Sequence, residues 1–132
     1  MLDDVGMSGE GGWTTAEGIN NAGQIVGTAW IYQSGNSYPN GFLRETDGSY
    51  TTFRVALATF ARSINDAGDI VGHGQSATAI FGFLRTSDGG YTRLDVPGAT
   101  ATYALGINNA GEIVGFYRDT ADRYHGFLAT PQ

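Results

Sequence analysis

The chain has 132 residues, enough for one domain with a real core and too few for two. Its 41% hydrophobic content is that of a folded protein, and a net charge of −6 excludes the basic stripe that nucleic acid requires. The absence of cysteine removes disulfides, thiolate nucleophiles and cysteine-based zinc sites together.

In chain order, Met1-Leu2-Asp3-Asp4-Val5 lacks the basic and apolar regions of a signal peptide, and no later run is long and apolar enough to span a bilayer. Leu2-Asp3-Asp4-Val5 reads as a strand, because it matches Leu94-Asp95-Val96 further on. A glycine-rich loop over 6–13 follows, ending on Trp13. Next comes a segment of the form Thr-x-Ala-x-(Gly/Ser)-Ile, at 14–19, 59–64 and 102–107, whose period of two predicts a strand. It runs into a nonapeptide that occurs three times: INNAGQIVG at 19–27, INDAGDIVG at 64–72 and INNAGEIVG at 107–115. The Asn-(Asn/Asp)-Ala-Gly portion is hairpin chemistry, since Asn bonds its own backbone and Gly23, Gly68 and Gly111 tolerate a left-handed backbone. Ile-Val-Gly predicts a second strand, and Gly-Phe-Leu at Gly41, Gly82 and Gly126 a third. A fourth is expected around 50–55 and 91–96. Gly27, Gly72 and Gly115 fall inside the second strand, which points to close approach by Phe42, Phe83 or Phe127, or to a bulge.

Repeats in the forties built from four short strands predict an all-β chain: a β-propeller with three four-stranded blades, over roughly 6–55, 56–96 and 97–132. The third unit ends on its third strand, so the strand at 1–5 is expected to complete the last blade. The alternatives are a β-trefoil and, after it, a β-prism. Three blades make too small a ring, so the expected partner is a second copy of the chain, giving a homodimeric ring of six blades, with a nine-bladed trimer as the lesser option.

Gly-Ile-Asn-Asn-Ala-Gly-Glu-Ile-Val-Gly-Phe-Tyr, with Tyr-His-Gly-Phe-Leu and Leu-Asp-Val-Pro-Gly-Ala-Thr, resembles the bacterial extracellular repeats called HAF repeats. The tripeptide behind that name is kept only at His125-Gly126-Phe127, with Asn40 and Phe81 at the corresponding places of the other units. The resemblance implies repeat architecture and an extracellular or cell-surface setting, and carries over no catalytic residues.

His73 and His125 are the two histidines, too few for a zinc site, and no nucleotide, hydrolase or metalloprotease motif occurs. Asp119 and Asp122 lie in a loop too poor in oxygen donors for calcium and read as local partners of Arg118 and Arg123. No cofactor, metal or catalytic residue is assigned. The variable connections, from second to third strand and from unit to unit, share one face of a propeller, and they are rich in aromatic residues. Trp13, Trp30, Tyr32, Tyr117, Arg118 and Asp119 are therefore the expected ligand-binding residues, with Tyr38 and Tyr124 on the same face. The expected function is a non-enzymatic binding module for glycans. A structural or display repeat of a larger surface protein is the alternative, and a hydrolase or lyase the third reading.

Overall fold

In the computed structural model, residues 13–33 and 36–131 are described, the side chains of 31–37 excepted. The strand expected over 1–5 lies outside the described residues, as does the loop up to residue 12. Eleven strands and no helix occupy the described chain. They are β1 (Trp13–Ile19), β2 (Ile25–Gln33), β3 (Asn36–Arg44), β4 (Tyr50–Phe53), β5 (Ala58–Ile64), β6 (Ile70–Gln75), β7 (Ile80–Arg85), β8 (Tyr91–Leu94), β9 (Ala101–Ile107), β10 (Ile113–Arg118) and β11 (Tyr124–Ala129).

These strands form three antiparallel meanders: β1 to β4, β5 to β8, and β9 to β11. The first is a separate four-stranded sheet. The second and third join into one seven-stranded sheet through a single parallel pairing, Ile80 with Ala101. The all-β arrangement includes a strongly curled half-barrel.

The inner hairpin is the same in each unit. Asn20 Oδ1 accepts from the amides of Ala22 and Gln24, and Asn108 Oδ1 from those of Ala110 and Glu112. Gly23, Gly68 and Gly111 complete these turns with φ of 89°, 86° and 80°. The register then pairs Val26 with Leu43, Val71 with Leu84, and Val114 with Leu128, so each Ile-Val-Gly lies against its own Gly-Phe-Leu.

The fourth strands are shorter than the sequence pattern implies, ending at Phe53 and Leu94. The amides of Val55 and Val96 leave the sheet to donate to Thr59 Oγ1 and Thr102 Oγ1, at 3.0 and 3.2 Å. Those buried threonines tie the end of one unit to the first strand of the next.

The bulge reading of the in-strand glycines holds in all three units, and the close approach of a phenylalanine ring at Gly27 and Gly115. The first strand of each unit carries a register shift opposite the second, between Ala16 and Gly18, between Ala61 and Ser63, and between Ala104 and Gly106, the last facing Val114 and Gly115. The irregularity brings a backbone carbonyl over the glycine. A Cβ on Gly27, Gly72 or Gly115 would overlap the oxygen of Thr15, Phe60 or Tyr103. At Gly27 and Gly115 it would also meet the ring of Phe42 or Phe127, 2.9 Å away in both cases.

Two core clusters lie between units. One cluster packs Val26, Leu43 and Phe53 of the first unit on Ala61, Ile64, Ile70 and Phe83 of the second. The other places Val71, Leu84 and Leu94 against Ala104, Ile107, Ile113 and Phe127. These are the same repeat positions one unit later. The units therefore stack by one face on the opposite face of the next, with β5 on β1 to β3 and β9 on β5 to β7.

Candidate functional site

Aromatic side chains form a continuous row across the three units. Trp30 meets Phe60 edge-on at 6.2 Å, and Phe60 stacks on His73 at 4.7 Å. His73 meets Tyr103 at 4.8 Å, Tyr103 stacks on Phe116 at 4.5 Å, and Phe116 meets Tyr124 at 5.8 Å. The stacked pairs are directly opposed residues on neighbouring strands, Phe60 with His73 and Tyr103 with Phe116. All six belong to the sheet end from which the connections between second and third strands emerge. Five of them keep part of the ring in solvent, Tyr124 being 63% exposed.

Polar groups interrupt the row. The Arg62 guanidinium lies 5.8 Å from the Phe60 ring and 3.4 Å from Glu17 of the preceding unit. His73 is 6% exposed, and burial, followed by the charge of Arg62, pushes its pKa from 6.5 down to about 4. The imidazole is thus neutral at pH 7. Among the described residues its Nδ1 has no hydrogen-bond partner, nor has Arg62 Nε, an arrangement typical of sites completed by water or ligand.

The depressed pKa has a consequence for folding. Between pH 6.5 and about 4 the unfolded chain takes up a proton that the folded chain refuses, so stability falls as pH drops through that window. The loss is at most about 3 kcal/mol. Urea denaturation at pH 7 and pH 4.5 is expected to show it, and His73→Phe to remove it. A His73→Phe chain with the wild-type pH slope contradicts the assignment.

The sequence-predicted residues fall into separate places. Trp30 is in the row, and Trp13, 72% exposed, pairs with it across β1 and β2. The Tyr32 side chain lies outside the described residues. Tyr117, Arg118 and Asp119 gather at the turn between β10 and β11. Tyr117 stacks on His125 at 5.0 Å, on the sheet face opposite Phe116 and Tyr124. Arg118 Nε donates to Thr100 Oγ1 at 3.0 Å and sits 3.8 Å from Asp122. Asp119 accepts from the amides of Ala121 and Arg123, while His125 Nε2 lies 2.7 Å from its other oxygen. The hydrogen bond from His125, then the one from the Arg123 amide, holds the Asp119 carboxyl below the usual range. The Arg–Asp pairing expected in this loop is present. Tyr38 packs under the Arg54 guanidinium, 5.2 Å from its ring centre.

All six rings lie in strands, including Trp30 in β2 and Tyr124 in β11, which the sequence pattern places in connections; Phe60, His73, Tyr103 and Phe116 are not among the expected binding residues. Their signal is positional. Phe60 and Tyr103 each follow the buried threonine of the first strand, and His73 and Phe116 each follow the in-strand glycine. The first unit has Thr15 and Thr28 at these positions, so its own contribution to the row comes from Trp30.

No group of three or more His, Asp or Glu side chains among the described residues is placed to hold a metal ion. Among the described residues no helix is long and apolar enough to cross a membrane. Protein-family models, curated proteins and solved structures give no match to the chain.

Proposed function

We propose that the chain is a non-enzymatic binding module made of propeller-type blades, and that glycans are its ligand class. The observation that carries this is the row of partly exposed rings from Trp30 to Tyr124. A sugar ring presents an apolar C–H face that stacks on an aromatic ring and a rim of hydroxyls that needs hydrogen-bond partners. The row offers both, with the partly exposed Arg62 guanidinium beside the rings as a hydrogen-bond donor. The three meanders, each packed on the next by equivalent positions, support the blade reading. The likeness to HAF repeats supports a cell-surface setting, where such ligands are met.

A structural or display repeat is the second reading, favoured by two core clusters that each bridge neighbouring units. The enzyme reading has less behind it. The pairing of His125 with Asp119 is a familiar acid/base arrangement, yet Asp119 is tied into its turn by two amides.

Calorimetric titration with cell-wall oligosaccharides tests the proposal. Wild type is expected to bind, and Tyr124→Ala, at the exposed end of the row, to bind about tenfold more weakly, the worth of one stacking contact. A folded wild-type chain that binds none of them overturns the glycan reading and leaves the structural one.

A further inference from the structure

Among the described residues, two faces are covered where the chain itself supplies a neighbouring unit and more exposed where it does not. Val26 and Val71 are fully buried under the following unit, whereas Val114, their counterpart in the third unit, is 50% exposed. Leu128, the counterpart of buried Leu43, is 61% exposed. On the opposite side, Ile64 is buried against the preceding unit, whereas Ile19 of the first unit is 66% exposed. Ala16 is exposed where Ala61 and Ala104 are buried. Among the described residues, nothing covers the trailing face of the third unit or the leading face of the first. The internal contacts identify what covers each, which is the other.

The polar contacts end in the same complementary way. Two hydrogen-bond ladders run from unit to unit through the inner hairpins. In one, Asn20 Nδ2 donates to the Asn65 carbonyl and Asn65 Nδ2 to the Asn108 carbonyl, both at 3.0 Å. In the other, the Asn21 amide donates to Asp66 Oδ1 and the Asp66 amide to Asn109 Oδ1, both at 2.8 Å. Each ladder stops with a spare donor on the third unit. Asn108 Nδ2 donates to Glu112 Oε1 and keeps a second hydrogen, and the Asn109 amide has no acceptor among the described residues. The first unit holds the matching acceptors, the Asn20 carbonyl and Asn21 Oδ1. Backbone approach is also open at this junction. Gly18 already lies so close to the second unit that a Cβ there would meet Ser63 Cα at 3.0 Å, and its counterpart in the third unit is again glycine, Gly106.

We propose that a second copy of this chain docks head to tail, the leading face of its first unit on the trailing face of the third, and that two copies close a ring of six units. The junction carries Val114 and Leu128 against the partner's Ala16 and Ile19, and continues both ladders. Each copy gives one face and receives the other, so two identical junctions complete the ring with two-fold symmetry. The count of six rests on the blade reading, since propeller rings hold about four to eight blades. The docking itself does not depend on any glycan.

Light scattering on the wild type, Ile19→Asp and Val114→Asp tests this. Both positions are solvent-exposed in the single chain, so a charge at either leaves the fold intact, which far-UV circular dichroism verifies. The expected masses are twice 13.9 kDa for the wild type and 13.9 kDa for each variant at the same concentration. A wild-type mass of one chain or of three overturns the proposal. So does dissociation by only one of the two substitutions, which means like faces are in contact. Glycan titration of the same samples is read separately, so failure of one reading leaves the other standing.

Discussion

Replacing Gly72 by alanine is expected to destabilise the chain by about 3 kcal/mol or more, a large part of the stability of a domain this size. The cause is overlap. Gly72 is buried in the central strand pair of the second unit, and an added Cβ would fall on the Phe60 carbonyl oxygen. That carbonyl belongs to the irregular stretch of β5, between Thr59, which anchors the preceding unit, and Ala61, which packs in the core. Relief requires the backbone to move, and both contacts move with it. Gly98→Ala is the instructive contrast. Its φ of 80° costs an L-residue about 1–2 kcal/mol, but nothing lies within 4 Å of the new methyl. Chemical denaturation of the two variants is expected to place Gly72→Ala well below Gly98→Ala. The reverse order contradicts the bulge geometry.

The second large effect is expected at Phe83. Its ring is 1% exposed, meets Phe53 of the preceding unit edge-on at 6.1 Å, and shares the cluster with Val26, Leu43 and Ala61. Phe83→Ala removes a side chain that fills the junction of two units, and the rigid sheets on either side close the gap poorly. A loss of about 4 kcal/mol follows. Phe127, the same repeat position in the third unit, is only half-buried, and its replacement is expected to cost about 2 kcal/mol. Equal losses at the two positions, measured at dilutions where the chain is a single copy, would mean that the third unit is covered as fully in the single chain as the second.

The elements were legible in the sequence because their determinants are local. Asn20 and Gly23 fix a turn through bonds that span two to four residues, and the repeat of that turn sets the register of Ile-Val-Gly on Gly-Phe-Leu. The in-strand glycines were legible as anomalies, though not their cause. A carbonyl displaced by a register shift in the neighbouring strand leaves no trace in composition. The ladders through Asn20, Asn65 and Asn108 join residues 45 and 43 apart, and they exist only once the units are stacked.

The site was legible in part for a related reason. Trp30 stood out because it falls in the longest interval between an Ile-Val-Gly and a Gly-Phe-Leu, an interval the structure fills with β2 and β3. Phe60 and Tyr103 read as ordinary half-buried strand residues until the units are superposed, when both prove to occupy one position. His73 offered still less, because a lone histidine in an apolar strand reads as core. Its chemical character comes from its neighbours, the rings of Phe60 and Tyr103 and the charge of Arg62, which converge on it from three directions. Tyr117, Arg118 and Asp119 were marked by their loop, yet the structure commits them mainly to each other and to Thr100, Asp122 and His125.

The central claim is that the contacts between units inside the chain are repeated between chains. Amide hydrogen exchange at three equivalent positions addresses it directly. The amides of Asn21 and Asp66 donate to the next unit within the chain, whereas that of Asn109 has no acceptor among the described residues and gains one only in the proposed docking. At concentrations where the chain associates, all three amides are expected to be protected alike, and on dilution Asn109 alone loses its protection. An Asn109 amide that exchanges freely at every concentration, while Asn21 and Asp66 stay protected, contradicts the account.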